Sequence, residues 1–134
     1  MEKCTFYDIG SKKANAYIIY ENKRVIAFLD IHPAAVGHTL VIPKNHYEKL
    51  SDIPSTTAQS LMTAIHTVVR HYRTKGIQNF NVLHASGRDA QQSVPHCHFH
   101  IVPRKRNDGL NLWYRSVKQK PQNFKRTEKK LRFR

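Results

Sequence analysis

Residues 96–102 read His-Cys-His-Phe-His-Ile-Val, an alternation of imidazole with apolar side chains. A β-strand sends successive side chains to opposite faces. On a strand, His96, His98 and His100 share one face, while Cys97, Phe99 and Ile101 share the other. The apolar face needs a cover, so this strand belongs in a sheet packed on one side. The imidazole face is a poor core, because each buried ring needs hydrogen-bond partners and the rings disfavour one another's protonation. Clusters of buried titratable groups concentrate at functional sites. Two chemistries fit three histidines. One is a zinc triad, although two-residue steps spread ligands by about 6–7 Å along a straight strand. The other is nucleophilic: neutral imidazole attacks phosphorus to form a covalent phospho-intermediate, and a neighbouring ring steadies the phosphoryl oxygens.

The rest of the chain supplies the sheet and its cover. Residues 16–20 and 24–29 are β-prone runs around Glu21-Asn22-Lys23, which reads as a hairpin. Residues 38–42 form a third strand ended by Pro43, 79–84 a fourth, and 96–102 a fifth ended by Pro103. Between the third and fourth, Ala58, Leu61, Met62, Ile65, Val68, Val69 and Tyr72 recur at spacings of three and four, which predicts one long amphipathic helix. Pro54 and Gly76 punctuate its ends. Residues 85–95 form a polar loop. Consecutive strands mostly lack intervening helices, so the expected fold is α+β: an antiparallel sheet of about five strands with one long helix on one face.

Length and composition exclude several classes. A chain of 134 residues predicts one domain. No apolar run reaches the length of a membrane span, and the first residues lack a secretory pattern. Two cysteines, Cys4 and Cys97, make no disulfide framework, and the expected setting is a reducing, cytoplasmic compartment. Charge is uneven: residues 104–134 hold 12 basic and two acidic residues and carry most of the +14 net charge. Such an end either stays solvated or attracts a polyanion, including nucleic acid. Its two aromatics, Phe124 and Phe133, are too few for a stacking platform. Parity assigns Cys97 to packing. His46, His66 and His71 read as surface or helix-face residues without a catalytic role.

The motif His96-Cys97-His98-Phe99-His100-Ile101-Val102 resembles the signature of the histidine-triad (HIT) family, with Cys97 at an apolar position. Ala27-Phe28-Leu29-Asp30-Ile31-His32-Pro33 and Gly37-His38-Thr39-Leu40-Val41-Ile42-Pro43-Lys44 resemble its nucleotide-binding strand pair. Asp89-Ala90-Gln91-Gln92-Ser93-Val94 is similar to its phosphate-side loop, and Gly109-Leu110-Asn111-Leu112-Trp113 to the ending of bacterial members. The likeness divides the chain into a HIT-like domain at 1–114 and a basic extension at 115–134.

The resemblance implies a Hint-like nucleotidyl hydrolase or transferase acting at the α-phosphate of adenosine nucleotides, of phosphoramidate or adenylate type. His98 would be the nucleophile and His100 would bind phosphate oxygens. His96 and His38 would buttress the other rings. Gln92 and Ser93 would contact phosphate, with Ser93 assisting the departing group. Asp30 would hold the ribose and Ile31 the base. No cofactor and no metal are implied for the chemistry, and the sheet would continue across a homodimer with the long helix at the interface. Alternatives are dinucleoside polyphosphate hydrolysis, deadenylation of nucleic-acid ends, and a nucleotide-binding partner protein with little turnover. Three positions depart from the family pattern. Tyr7 stands where some members carry the second cysteine of a zinc site, Gln91 stands where Gly is usual, and Ala85 replaces Asn or Gln.

Overall fold

The computed structural model describes residues 4–133. Five strands form one antiparallel sheet: β1 (Ile18–Glu21), β2 (Val25–Leu29), β3 (Thr39–Pro43), β4 (Asn79–His84) and β5 (Phe99–Arg104), in spatial order β1-β2-β3-β5-β4. Three α-helices accompany it among the described residues: α1 (Thr5–Gly10), α2 (Ser55–Thr74) and α3 (Pro121–Leu131). The fold is the expected α+β architecture.

Parity divides the core into two layers. Val25, Ala27, Val41 and Ile101 point to one face, where Leu61, Ala64, Ile65, Val68 and Tyr72 of α2 cover them. Ile26, Phe28, Leu40 and Ile42 point to the other, where Ile9 of α1 and Phe6 pack. Burying one such aliphatic side chain contributes about 1.5–3 kcal/mol. The helix therefore takes one face of the sheet and leaves the other for the imidazoles. Met62, placed by periodicity in the helix stripe, is exposed instead. It lies one residue, about 100°, around the helix from Leu61.

Several strand boundaries differ from expectation: β1 spans 18–21 instead of 16–20, β2 starts at 25, and β3 spans 39–43 and includes Pro43. β5 begins at Phe99, so His96 and His98 precede its ladder. It also runs through Pro103 instead of ending there, with Pro103 opposite Phe80. β3 pairs with β5 only across Phe99–Ile101, so Pro103 lies past the start of β3 and its missing N–H costs no bond on that side. α1 and α3 are additional to the expected elements. α1 is six residues long, with Cys4 as N-cap: its Sγ accepts from the Tyr7 N–H at 3.5 Å. α3 is exposed apart from a half-buried Asn123. Before it, Arg104 clasps Asp108 (2.8 Å) and the Leu110 carbonyl (2.7 Å), and the chain then leaves the sheet. No helix among the described residues is long and apolar enough to cross a membrane.

Candidate active site

The sheet face opposite α2 opens into a cavity of about 810 Å³. Asp30, Ile31, His38, Ser93, His98 and His100 all line it. The fold builds this set from four places. Asp30 and Ile31 follow β2, His38 precedes β3, Ser93 lies in the polar loop between β4 and β5, and His98 and His100 straddle the start of β5. His100 lies opposite Leu40 in the register, which fixes it on the face shared with Phe28. Phe6, which no motif or spacing singles out, also lines the cavity. Its ring meets His98 edge-on at 5.1 Å and packs on Phe28 at 5.7 Å.

Hydrogen-bond partners fix where each imidazole carries its proton. A main-chain carbonyl has no hydrogen to give, so a ring nitrogen facing one must donate. His98 Nδ1–H therefore donates to the His96 carbonyl at 2.6 Å, which leaves His98 Nε2 as the lone-pair nitrogen. His38 Nδ1 accepts from the Ala34 N–H at 3.0 Å, so its proton is on Nε2. That proton faces His100 Nδ1 at 2.9 Å, so in the neutral ring the His100 proton is on Nε2. The site thus presents one unprotonated nitrogen and one N–H donor on adjacent rings whose centroids are 5.0 Å apart.

Burial keeps these rings neutral. It pushes His96 and His100 down to about 4 and lowers His98 and His38 as well. For His100 the neighbouring His98 and His38 add to the shift, and Asp30 opposes it. At neutral pH the lone pair on His98 Nε2 is therefore available without the ring first losing a proton. Cys97 is buried, and its thiol is pushed up to about 11 mainly by burial, as its assignment to packing requires.

Several expected site residues have other tasks. The Gln92 side chain does not line the cavity. Its Oε1 accepts from the Gly87 N–H at 2.7 Å, and its Nε2 donates to the carbonyls of Glu48 (2.7 Å) and Val94 (3.0 Å). Gln92 braces the loop that carries Ser93. His96 also sits behind the cavity, with Nε2–H donating to the Pro43 carbonyl at 2.8 Å. Asp30 uses Oδ1 to accept from the His32 N–H at 2.8 Å, an Asx turn, and its Oδ2 lies 3.6 Å from His38 Nε2. Gln91 adopts φ +68°, the left-handed region that the usual Gly accommodates freely. Beside Ala85, His84 and Ser86 bond each other.

His46 is not the surface residue expected. It is half-buried, with Nδ1 3.1 Å from His96 Nδ1, and Cys4 Sγ lies 3.5 Å from that same nitrogen. The three donor atoms fall within 4.8 Å of one another. One thiol and two imidazoles form a zinc-type donor set. The Pro43 carbonyl takes the Nε2 proton of His96, so that Nδ1 keeps its lone pair toward them. These residues fit a metal with three protein ligands. Tyr7, at the position of the lost cysteine, offers Cys4 only its main-chain N–H. His66 and His71 are exposed on α2, as expected.

Comparison with known proteins agrees with this geometry. The HIT domain model matches residues 11–107. The adenosine 5'-monophosphoramidase of Schizosaccharomyces pombe is 33% identical, over 91% of this chain and 90% of its own. The adenylylsulfatase of Arabidopsis thaliana is 32% identical, over 80% of this chain and 55% of its own. A HIT family member from Bacillus subtilis superposes with a TM-score of 0.87 at 33% identity, covering 99% of both chains. A zinc-bound histidine triad family protein from Mycobacterium smegmatis superposes with a TM-score of 0.77 at 37% identity, covering 82% of this chain and 81% of that one. With the alternating histidines on the sheet face, the hydrogen-bonded His38–His100 pair and the family match over most of its length, this chain belongs to the histidine-triad (HIT) family.

Proposed function

We propose that the chain is a nucleotidyl hydrolase or transferase acting at the α-phosphate of adenosine nucleotides, of phosphoramidate or adenylate type, through a covalent nucleotidyl-histidine on His98. The observation that carries this reading is the proton wiring. His98 Nε2 holds a lone pair and His100 Nε2 holds a hydrogen, and both residues line one cavity. The names of the fission-yeast and Arabidopsis relatives fit a phosphoramidate and an adenylyl sulfate respectively.

In this reading the base lies against Ile31, and the Asp30 carboxylate accepts from ribose hydroxyls. His100 Nε2–H donates to a phosphate oxygen. His98 Nε2 gives its lone pair to the α-phosphorus, and the bond to the leaving nitrogen or oxygen breaks in line. The leaving group departs with that electron pair and takes a proton from the Ser93 hydroxyl. The new imidazolium is steadied by its Nδ1–H bond to the His96 carbonyl, and His38 holds His100 in register. Water then attacks phosphorus, the N–P bond breaks, and its electrons return to Nε2. The proton released by the water restores Ser93. His96, Gln92 and Phe6 act by holding these groups and excluding water.

The test is AMP release from adenosine 5'-phosphoramidate by wild type and by His98→Ala, without added metal. Turnover that falls at least about 1,000-fold in the variant supports the reading, since removing a nucleophile removes the intermediate. Trapping an adenylylated peptide that contains His98 supports it directly. Equal turnover in both proteins overturns it. Wild-type binding of AMP without turnover on this substrate or on dinucleoside polyphosphates favours a nucleotide-binding partner protein.

A second reading, removal of AMP from nucleic-acid ends, is favoured by the basic extension. Residues 115–134 hold nine basic residues and one acidic one. Salt-sensitive nucleic-acid binding that is lost on deleting 115–134 supports it. We also place the protein in a reducing, cytoplasmic compartment, which suits its two buried free thiols. We infer a homodimer joined through the open edge of β4.

A further inference from the structure

We propose that His84 is a positioning residue for the nucleophile: its Nδ1–H grips the main-chain carbonyl of His98. This deepens the reading of His98 as nucleophile and rests on it. His98 sits one residue ahead of the β5 ladder, which begins at Phe99, so the sheet alone does not hold it. Its ring is tied back to the His96 carbonyl at 2.6 Å, and its own carbonyl faces His84 Nδ1 at 2.9 Å. The nucleophilic residue is therefore held at both ends, by its imidazole and by its peptide group.

His84 is itself held on three sides. It ends β4 and lies opposite Phe99 in the register, and its ring stacks on the Phe99 ring with centroids 4.5 Å apart and planes 25° apart. Its Nε2 lies 2.5 Å from Ser86 Oγ. Ser86 Oγ accepts from the Leu50 N–H at 3.0 Å, which turns the hydroxyl hydrogen toward His84 Nε2. A ring that accepts at Nε2 and faces a carbonyl at Nδ1 carries its proton on Nδ1. A relay then runs from the Leu50 amide through Ser86 and His84 to the His98 carbonyl. It sets the tautomer of His84 and, through it, the place of the attacking nitrogen. An ångström of displacement there costs about 100-fold in rate. The polar side chains flanking Ala85 are occupied in this relay.

The experiment compares wild type with His84→Phe, His84→Gln and Ser86→Ala in steady-state turnover of adenosine 5'-phosphoramidate, alongside imidazole ¹⁵N NMR. His84→Phe keeps a ring for Phe99 and removes the donor. Its kcat falls about 10- to 100-fold while KM stays within about twofold, because the attack geometry changes and the nucleotide contacts do not. His84→Gln, which restores an N–H donor, recovers most of the loss. Ser86→Ala shifts kcat the same way by less, and its effect does not add to that of His84→Phe. The NMR readout needs no turnover: His84 carries its proton on Nδ1 in wild type and in Ser86→Ala, where only the Nε2 resonance shifts because it has lost its hydrogen bond. Wild-type kcat in a folded His84→Phe, or His84 found as the Nε2–H tautomer, overturns the proposal. Turnover that persists in His98→Ala overturns the nucleophile assignment instead, so the two failures are distinguishable.

Discussion

His100 and His38 share one hydrogen bond at 2.9 Å, and burial lowers the proton affinity of both, that of His100 to about 4. An unfolded histidine titrates near 6.5. Between these values the unfolded chain binds protons that the folded chain refuses. The stability associated with the buried neutral His100 is therefore complete above about pH 6.5 and drains as pH falls toward 4, by about 1 kcal/mol per pH unit, and His38 contributes in the same direction. Urea unfolding at pH 7.5 and pH 5 measures this, and His100→Phe makes the difference between the two midpoints smaller. An unchanged difference excludes His100 as a source. Gln91 gives a second test. Its φ of +68° costs about 1 kcal/mol that glycine does not incur, partly offset by the freer unfolded chain. Gln91→Gly is expected to raise the urea midpoint by the equivalent of about 0.5 kcal/mol, and a lowered midpoint contradicts the strain. Residue by residue, the site was partly legible. The alternation at 96–102 placed His98 and His100 on one face, and the motif likeness singled out His38. The tasks of Gln92, His46 and His84 depend on partners 44, 50 and 14 residues away, and a chain read in order gives no sign of such partners.

At the scale of elements, strong periodicity was readable and short pieces were not. The stripe from Leu61 to Tyr72 found α2, and the β4 limits were met at both ends. α1 offers six residues, fewer than two turns and too few to repeat an apolar stripe, yet it lines the cavity with Phe6 and brings Cys4 to His46 and His96. The loss of a second cysteine at Tyr7 argued against a metal. The fold still gathers three donors from the α1 N-cap, the segment after β3 and the segment before β5. Protein that is free of chelator is expected to bind one zinc ion and to unfold at a higher temperature when zinc is added, since a ligand that prefers the folded state stabilises it. Native mass spectrometry and thermal melts read both effects, and Cys4→Ser abolishes them. No zinc-dependent shift in wild type shows that three ligands are too few. His96 links the two groups, because its Nδ1 belongs to the donor set while its carbonyl accepts from His98 Nδ1–H.

On the scale of the whole molecule, the sheet is covered unevenly. α2 packs over β1, β2 and β3. β4 is an edge strand of the sheet, and by register its Phe80 and Val82 lie opposite Pro103 and Ile101. Ile101 points to the α2 face, so Val82 and, by parity, Phe80 point there too. Both are more than a third exposed, and Met62 on α2 is exposed as well. An edge with free ladder groups beside apolar side chains invites a further strand. A second copy related by a two-fold axis would satisfy both features, because β4 would then meet β4 and the same patch would serve both subunits. Light scattering at micromolar concentration is expected to give twice the chain mass for wild type. Val82→Lys places a cation on each side of the axis, so its mass falls to that of the single chain while the far-ultraviolet circular dichroism is kept. A dimer that survives Val82→Lys and Phe80→Glu alike moves the interface away from β4. The basic extension then becomes the next candidate, and deletion of residues 115–134 decides it.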